Sequence, residues 1–271
     1  MSNCPFGGGG NGNGSGSGQC ITYGSALNIG ALLRLQQPFS PEPHHDELQY
    51  VIIHQTSELW FKLLLHELDE VGAELSGGDL DRAARLLRRA TAIVGLIDQG
   101  FSLMESMTAY DYAAFRPMLT GGSGFQSAQF RELELALSCC REATLDQPAF
   151  TAEERDRFAA RRQRPNLWDA FVAAMRRHGY AMPARADGQP DLAARALHSM
   201  YATGAHPALR QVSEEMAALD NAIGRWRYHH AIMAERAIGM KEGTGGEGVE
   251  YLYRTARTRA FPELMALRTA L

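Results

Sequence analysis

The sequence predicts an all-α protein, and three observations support this fold class. Valine, which is enriched in strands, occurs only six times in 271 residues, whereas the helix formers Ala, Leu, Arg and Glu are abundant. The single strand-like run, residues 50–53, lies inside a longer helical pattern. Four long stretches repeat their apolar residues at helical spacing. We therefore predict a helical bundle.

The first two predicted helices form a pair. One runs from about His45 to Leu75 and is apolar nearly all round, so we expect it to be central and buried. The next runs from Asp79 to about Met107 with one apolar stripe. Only Gly77-Gly78 separates them, and such a short connection predicts antiparallel neighbours.

Shorter helices are predicted in the middle of the chain. A third helix begins near Ser127 and reaches Cys140. Between Cys140 and Pro207, the sequence Thr151-Ala-Glu-Glu154 is a capping box that starts another helix, and Pro165 ends it.

The fourth long helix runs from Pro207 to Ile238, with Gly239 as its stop. An uninterrupted stripe with alternating spacings of three and four follows one face: Leu209, Val212, Met216, Leu219, Ile223, Trp226, His230, Met233 and Ala237. His230 thus occupies a core position. A buried histidine bonded by a neighbour is the more common explanation and the one that spacing alone favours; a metal or heme ligand is the other.

Composition limits the function classes. The net charge of −4 argues against binding to nucleic acid or to an anionic membrane surface. No apolar run is long enough to span a membrane, and the N-terminus lacks a secretory signal. The four cysteines form no disulfide or metal framework, which favours the cytoplasm. Residues 1–19 are predicted to be a flexible Gly/Ser-rich tail, and residues 20–271 a single domain.

Polar side chains interrupt the apolar pattern at two further places. Tyr50, His54 and Ser57 share one face of the first helix and form either an internal hydrogen-bond network or the wall of a ligand pocket. Tyr112 and Arg116 lie four residues apart on a short predicted helix. This arginine has the chemistry to clamp a carboxylate, although a solvated arginine is more common.

A glycine-rich segment, residues 243–248, formally matches G-x-G-x-x-G. It follows a helix rather than a strand, so we reject dinucleotide binding. The glycines instead suggest a backbone that closes over a ligand, with a hydroxyl and an N–H from Thr244.

Taken together, these segments resemble the tryptophan 2,3-dioxygenase family of heme proteins. The matching pieces occur in family order from residue 21 to about 255: Thr22–Gly24, Gln36–Pro38, His44–Glu47, His54–Trp60, Tyr112–Arg116, Gly122–Ser127, Trp226–His230 and Gly243–Gly246. Residues 141–205 carry little of the resemblance.

The resemblance implies heme b as cofactor, O2 as co-substrate and an indole amino acid as substrate. His230 matches the iron ligand, with Trp226 and Gly245 also at the cofactor, and His54 matches the histidine that contacts the indole N–H. The remaining assignments concern the substrate: Arg116, Thr244 and Tyr112 at its carboxylate, Tyr50 as a catalytic-site wall residue where a Phe is usual, and Tyr23, Ala26 and Phe101 at the pocket. The family fold is an all-helical homotetramer in which the N-terminal segment, including Tyr23, covers a neighbour's site.

The implied reaction places both oxygen atoms across indole C2–C3 and gives N-formyl-kynurenine. This sequence departs from the family pattern at Ala26 (usually Tyr), Tyr50 (Phe), Phe101 (Trp) and Glu247 (Ser). A reshaped pocket for a substituted tryptophan, or a monooxygenase that forms an oxindole, is therefore weighed against unchanged activity, which we favour slightly. A heme sensor or carrier, and a helical interaction module without a cofactor, are the lesser alternatives.

Overall fold

The computed structural model describes residues 21–119, 126–243 and 248–270. Within these ranges every regular element is helical, and the only β-type pairing is an isolated bridge between Glu242 and Gly248. The prediction of an all-α fold is confirmed. The α helices are α1 (Tyr23–Ala26), α2 (Ile29–Leu32), α3 (Glu47–Gly77), α4 (Leu80–Met104), α5 (Ala109–Phe115), α6 (Ala128–Ala136), α7 (Ala152–Arg162), α8 (Leu167–Arg177), α9 (Pro190–Thr203), α10 (Pro207–Ile238), α11 (Val249–Ala256) and α12 (Pro262–Ala270).

Helices α3 and α4 form the predicted antiparallel pair. The turn between them uses Gly78 at a φ of +96°, a left-handed conformation that glycine adopts readily. The side chain of Asp79 then caps α4 by accepting a hydrogen bond from the Arg82 N–H at 2.9 Å. Near the other end of the pair, Gln49 at the start of α3 donates to the carbonyl of Leu103 at the end of α4, at 2.8 Å.

Helix α10 has the bounds that the sequence predicts and packs along α4. The first six positions of its apolar stripe, Leu209 to Trp226, are at most 6% exposed and belong to the main hydrophobic core. The last three, His230, Met233 and Ala237, are only partly buried, and all three line a cavity. The stripe therefore passes from the core into the cavity wall between Trp226, which belongs to both, and His230.

The prediction that α3 is buried all round is wrong for this chain taken by itself. The helix packs against α4, α6 and α8 on one side. Four of its apolar side chains are exposed by 37% to 53%: Leu48, Ile52, Leu59 and Leu63. An apolar pattern shows which faces avoid water, but it does not show whether the same chain covers each of them.

Several helix ends differ from the sequence prediction. Helix α3 spans Glu47–Gly77 rather than His45 to Leu75, and α4 ends at Met104 rather than about Met107. Helix α6 stops at Ala136 rather than Cys140, because Ser138 adopts a left-handed φ of 60° and breaks the helical path. Helix α7 begins with the predicted capping box at Thr151 and, as predicted, ends ahead of Pro165, at Arg162. None of the helices in the described part of the chain has the length and apolar content that a membrane span requires.

Candidate functional site

A cavity of about 810 Å³ opens among helices α3, α4, α5, α6, α10 and α11. This volume lies in the upper part of the range for small-molecule and cofactor sites. The wall contains eight of the candidate site residues named from the sequence: Tyr50, His54, Ser57, Phe101, Tyr112, Arg116, Trp226 and His230. Helices distant in sequence thus bring both selected histidines to one space.

His230 presents a neutral imidazole to the cavity. Its ring stacks on Phe101, with 4.9 Å between centroids and 25° between planes. Burial, followed by repulsion from the charges of His54 and His229, lowers the pKa of His230 to about 4. None of the hydrogen bonds among the described residues uses a nitrogen of this ring. The imidazole therefore keeps a lone pair for a ligand other than a proton.

The neighbouring His229 is held quite differently. Its Nδ1 lies 2.7 Å from an Asp98 carboxylate oxygen, and its Nε2 lies 3.5 Å from one of Glu105. Partial burial opposes protonation, but the hydrogen bonds and attraction of these two carboxylates prevail and raise the pKa of His229. His229 is therefore a salt-bridge residue that joins α10 to α4.

His54 lies on α3 and is oriented by its own helix. Its Nδ1 is 2.8 Å from the carbonyl oxygen of Tyr50, and since a carbonyl only accepts, Nδ1 carries the proton. Burial lowers the pKa of His54, outweighing the opposing effects of this hydrogen bond and of Glu58. The ring is therefore neutral, and Nε2 is left as a hydrogen-bond acceptor.

The aromatic ring of Tyr50 packs against His54. The Tyr50 ring lies 4.0 Å from the His54 ring and 6.2 Å from that of Tyr112, centroid to centroid. Burial raises the pKa of both tyrosines, so each phenol remains a neutral donor. Ser57 donates to the Ile53 carbonyl at 2.8 Å. The Tyr50–His54–Ser57 face is therefore both locally hydrogen-bonded and part of a pocket wall. The two alternatives that the sequence left open, a hydrogen-bond network and a pocket wall, are both correct.

Arg116 follows α5, which Thr108 caps through the Asp111 N–H at 3.1 Å. The Nη2 of Arg116 donates a hydrogen bond to the carbonyl of Glu242 at 2.5 Å. Glu242 pairs with Gly248 across the base of the glycine-rich segment. Arg116 is also close enough to Tyr112 to oppose, in part, the rise that burial causes in the pKa of its phenol. The structure thus brings the predicted Tyr112–Arg116 pair into one wall and ties it to that segment.

The donor set fits heme iron better than a free metal ion. In the described ranges no group of three or more His, Cys, Asp or Glu side chains is arranged to hold a metal. Porphyrin iron requires only an axial ligand from the protein, and a neutral histidine is a common one. The unbonded His230 imidazole, facing a largely apolar cavity, meets that requirement.

A sequence profile described as Tryptophan 2,3-dioxygenase matches residues 8–178 and 152–271, together almost the whole chain. The chain belongs to the tryptophan 2,3-dioxygenase family. Similar proteins carry the same name in Herpetosiphon aurantiacus (41% identity over 93% of this chain and 99% of the relative) and in Caulobacter vibrioides (36% over 93% and 99%). A third, from Pseudomonas fluorescens, is 35% identical over the full length of both chains.

Three residues that the family resemblance assigns to the substrate, Phe101, Tyr23 and Ala26, lie at different places in the structure. Phe101 stacks on His230 and on Trp226, so it lies on the side of the cavity that holds the expected iron ligand. Tyr23 is 77% exposed, Ala26 is also exposed, and neither lines the cavity of its own chain. Thr244, Gly245 and Glu247 lie outside the described residues.

Sequence analysis missed a buried charged cluster in the cavity wall. Glu134 accepts hydrogen bonds from Arg131 at 2.6 Å and from Arg227 at 2.8 Å. Two signals were present in the sequence: Arg131 and Glu134 are one helical turn apart on α6, and Arg227 adjoins the apolar stripe of α10. Neither signal distinguishes a buried ion pair from a solvated one.

Proposed function

We propose that this protein is a heme-dependent oxygenase that adds both atoms of O2 across C2–C3 of the indole ring of tryptophan. The observation that carries the proposal is the pairing of two neutral histidines on one cavity. His230 is neutral, and its ring makes no hydrogen bond to the part of the chain that the structure describes, whereas His54 is fixed as a hydrogen-bond acceptor.

His230 would hold the iron of heme b. Its low pKa keeps the imidazole deprotonated, which metal ligation requires. Trp226 and Phe101 would border the cofactor on the same side. When bound, heme supplies the redox-active iron centre for reaction with O2.

His54 would orient the indole. Its Nε2 accepts, and the indole N–H is a donor only, so the two are complementary. The nearby rings of Tyr50 and Tyr112 provide an apolar wall for a flat aromatic substrate. Because indole C3 is itself nucleophilic, this chain does not have to supply a strong base, and its contribution is mainly positioning.

Arg116 would bind the substrate carboxylate, with the phenol of Tyr112 beside it. One of its nitrogens already donates to the Glu242 carbonyl. A guanidinium has five N–H donors, so it can keep that bond and still pair with a carboxylate. Thr244 is proposed as a further carboxylate contact and Gly245 as a cofactor contact.

We also propose that the protein works in the cytoplasm as a homotetramer, in which an N-terminal segment with Tyr23 and Ala26 covers a neighbour's cavity. The exposure of Tyr23 and the uncovered apolar face of α3 support contact with another copy. Residues 20–271 would form the single catalytic domain, and residues 1–19 a flexible tail.

The monooxygenase alternative, which would form an oxindole, is not favoured, because the similar proteins are named as dioxygenases. A heme sensor or carrier is also disfavoured, since it has no use for an arginine placed to capture a carboxylate.

Turnover in ¹⁸O2 tests the proposal directly. Purified protein reconstituted with heme is given L-tryptophan or a ring-substituted analogue, and the product is analysed by mass spectrometry. We expect two labelled atoms with tryptophan. One labelled atom would indicate the monooxygenase, and a Soret band without turnover would indicate a sensor or carrier. His230→Ala, treated identically, is the control for heme that is bound elsewhere.

A further inference from the structure

We propose that Phe101 is a positioning residue that fixes the orientation of the His230 imidazole. Asp98 and Glu105 keep helix α4, and with it Phe101, in place against α10 through their contacts with His229. This inference rests on the proposed heme site. It gives helix α4 a role in orienting the proposed iron ligand, which is separate from contact with the substrate.

The first support is the way His230 is held. A metal-binding histidine is usually oriented by a hydrogen bond from its second ring nitrogen. Among the described residues, no such bond is made to His230. Instead, Phe101 stacks on the ring at 4.9 Å with only 25° between the planes. A stacked neighbour restricts rotation about the Cβ–Cγ bond, so the phenyl ring orients the imidazole by direct contact.

The second support is that Phe101 is itself held on several sides. It stacks on Trp226, at 6.0 Å and 16°, and meets His229 edge-on at 6.1 Å. Trp226 is 6% exposed and belongs to the main core. The phenyl ring therefore has little freedom to swing away from His230.

The third support is the spacing on α4. Asp98, Phe101 and Glu105 are three and four residues apart, so they share one helical face. The two carboxylates contact the two different nitrogens of His229, at 2.7 and 3.5 Å. Since His229 directly precedes His230, this double contact fixes the rotation of α10 relative to α4 at the level of the stack.

The principal experiment compares Phe101→Leu, Phe101→Trp and Phe61→Leu in the heme-reconstituted protein. Phe61 is a matched control because it also lines the cavity and contacts Trp226, edge-on at 5.8 Å, whereas none of the ring contacts among the described residues joins it to His230. The readouts are the rate of heme transfer to an excess of a heme-scavenging globin, and the iron–imidazole stretching band in the resonance Raman spectrum of the ferrous protein.

We expect Phe101→Leu to lose heme about 10-fold faster and to broaden or shift the Raman band, in line with the usual effect of removing a group that orients a metal ligand. Phe101→Trp, which keeps a stacking ring, should restore both properties. Phe61→Leu should change neither. If Phe101→Leu leaves the band unchanged, or if Phe61→Leu changes it equally, the inference is overturned.

A second comparison tests the grip on His229. The double variant Asp98→Asn/Glu105→Gln keeps the side-chain shapes and removes both charges. Its control is Glu215→Gln. This change removes the ion pair between Glu215 and Arg88, 2.9 Å apart, which joins the same two helices. We expect the double variant to shift the Raman band in the direction of Phe101→Leu and to combine with it non-additively. Additive effects, or an equal shift in Glu215→Gln, would contradict this part.

Failure of this inference is distinguishable from failure of the proposed function. If the unmodified protein binds no heme, or if His230→Ala leaves the heme spectrum unchanged, the heme site itself is wrong. If heme binds through His230 but the Phe101 variants behave like the Phe61 control, only the positioning role is wrong.

Discussion

The two histidines that face the cavity are the same residue type held in opposite ways. His54 donates from Nδ1 to a carbonyl one turn earlier in its own helix. Helix α3 therefore fixes the proton on Nδ1 and leaves Nε2 as the acceptor. His230 lies in a long helix as well, yet its ring is held by stacking on Phe101 of another helix. The first arrangement suits a group that recognises a donor, and the second suits a group that gives its lone pair to iron.

This difference shows that burial does not determine what a histidine does. Burial lowers the pKa of both side chains, so both are neutral near pH 7. What separates them is the partner of the second nitrogen, which sets the tautomer and the free lone pair. Variants that remove one of these properties at a time test that separation.

Replacing each of the two histidines by alanine is expected to give the largest effect, and a different one for each residue. His230→Ala should abolish the Soret band of the reconstituted protein and all turnover, because the ligand lone pair is lost. His54→Ala should keep the heme and lose mainly indole affinity and rate. Absorption spectra and tryptophan titrations of both variants measure this. A colourless His54→Ala protein beside a coloured His230→Ala protein would show that the roles are reversed.

Removing the guanidinium at Arg116 should weaken binding of tryptophan about 100-fold, the loss expected for a hydrogen bond between charged groups. Free indole lacks the carboxylate, so its affinity should change much less. Ligand titrations followed by the heme spectrum compare the two molecules. The exposed Arg257, changed to Ala, serves as the control. Equal losses for tryptophan and indole would remove the carboxylate role.

The low pKa of His230 makes the heme-free protein sensitive to acid. The unfolded chain takes up this proton below its ordinary pKa of 6.5, whereas the folded chain does so only near 4. The free energy of unfolding should therefore fall as the pH decreases from 6.5 to 4, by about 3 kcal/mol from this group. Urea unfolding at pH 4.5 and 7 measures this, and His230→Leu should have a correspondingly smaller pH dependence. An equal dependence in the variant would mean that His230 titrates normally.

The smallest effect is expected for Tyr50→Phe. His54 is oriented by the hydrogen bond that it donates to the backbone carbonyl of residue 50, and this bond survives the change. Loss of one neutral hydroxyl should alter kcat by no more than about 10-fold. Counting ¹⁸O atoms in the product of this variant also tests whether the Tyr50 hydroxyl influences the outcome. A change in that count would give the hydroxyl a direct catalytic role.

Much of the local structure was predictable from the sequence. Helix α10 begins at Pro207 and ends at Ile238 as predicted, because proline favours the first turn and Gly239 adopts the positive φ that ends the helix. The capping box at Thr151 and the turn at Gly78 are equally local. The pairing of Tyr112 with Arg116 was predictable because residues four apart meet on a helix.

The sequence by itself determined the long helices, several of their ends and most of the candidate residues on them, because these depend on interactions within a few positions along the chain. Only the tertiary structure decided that Phe101 lies against His230, that Arg131, Glu134 and Arg227 form one buried cluster, and that part of α3 stays exposed. Periodicity shows which face of a helix avoids water. The partner that covers the face depends on how helices distant in sequence pack together.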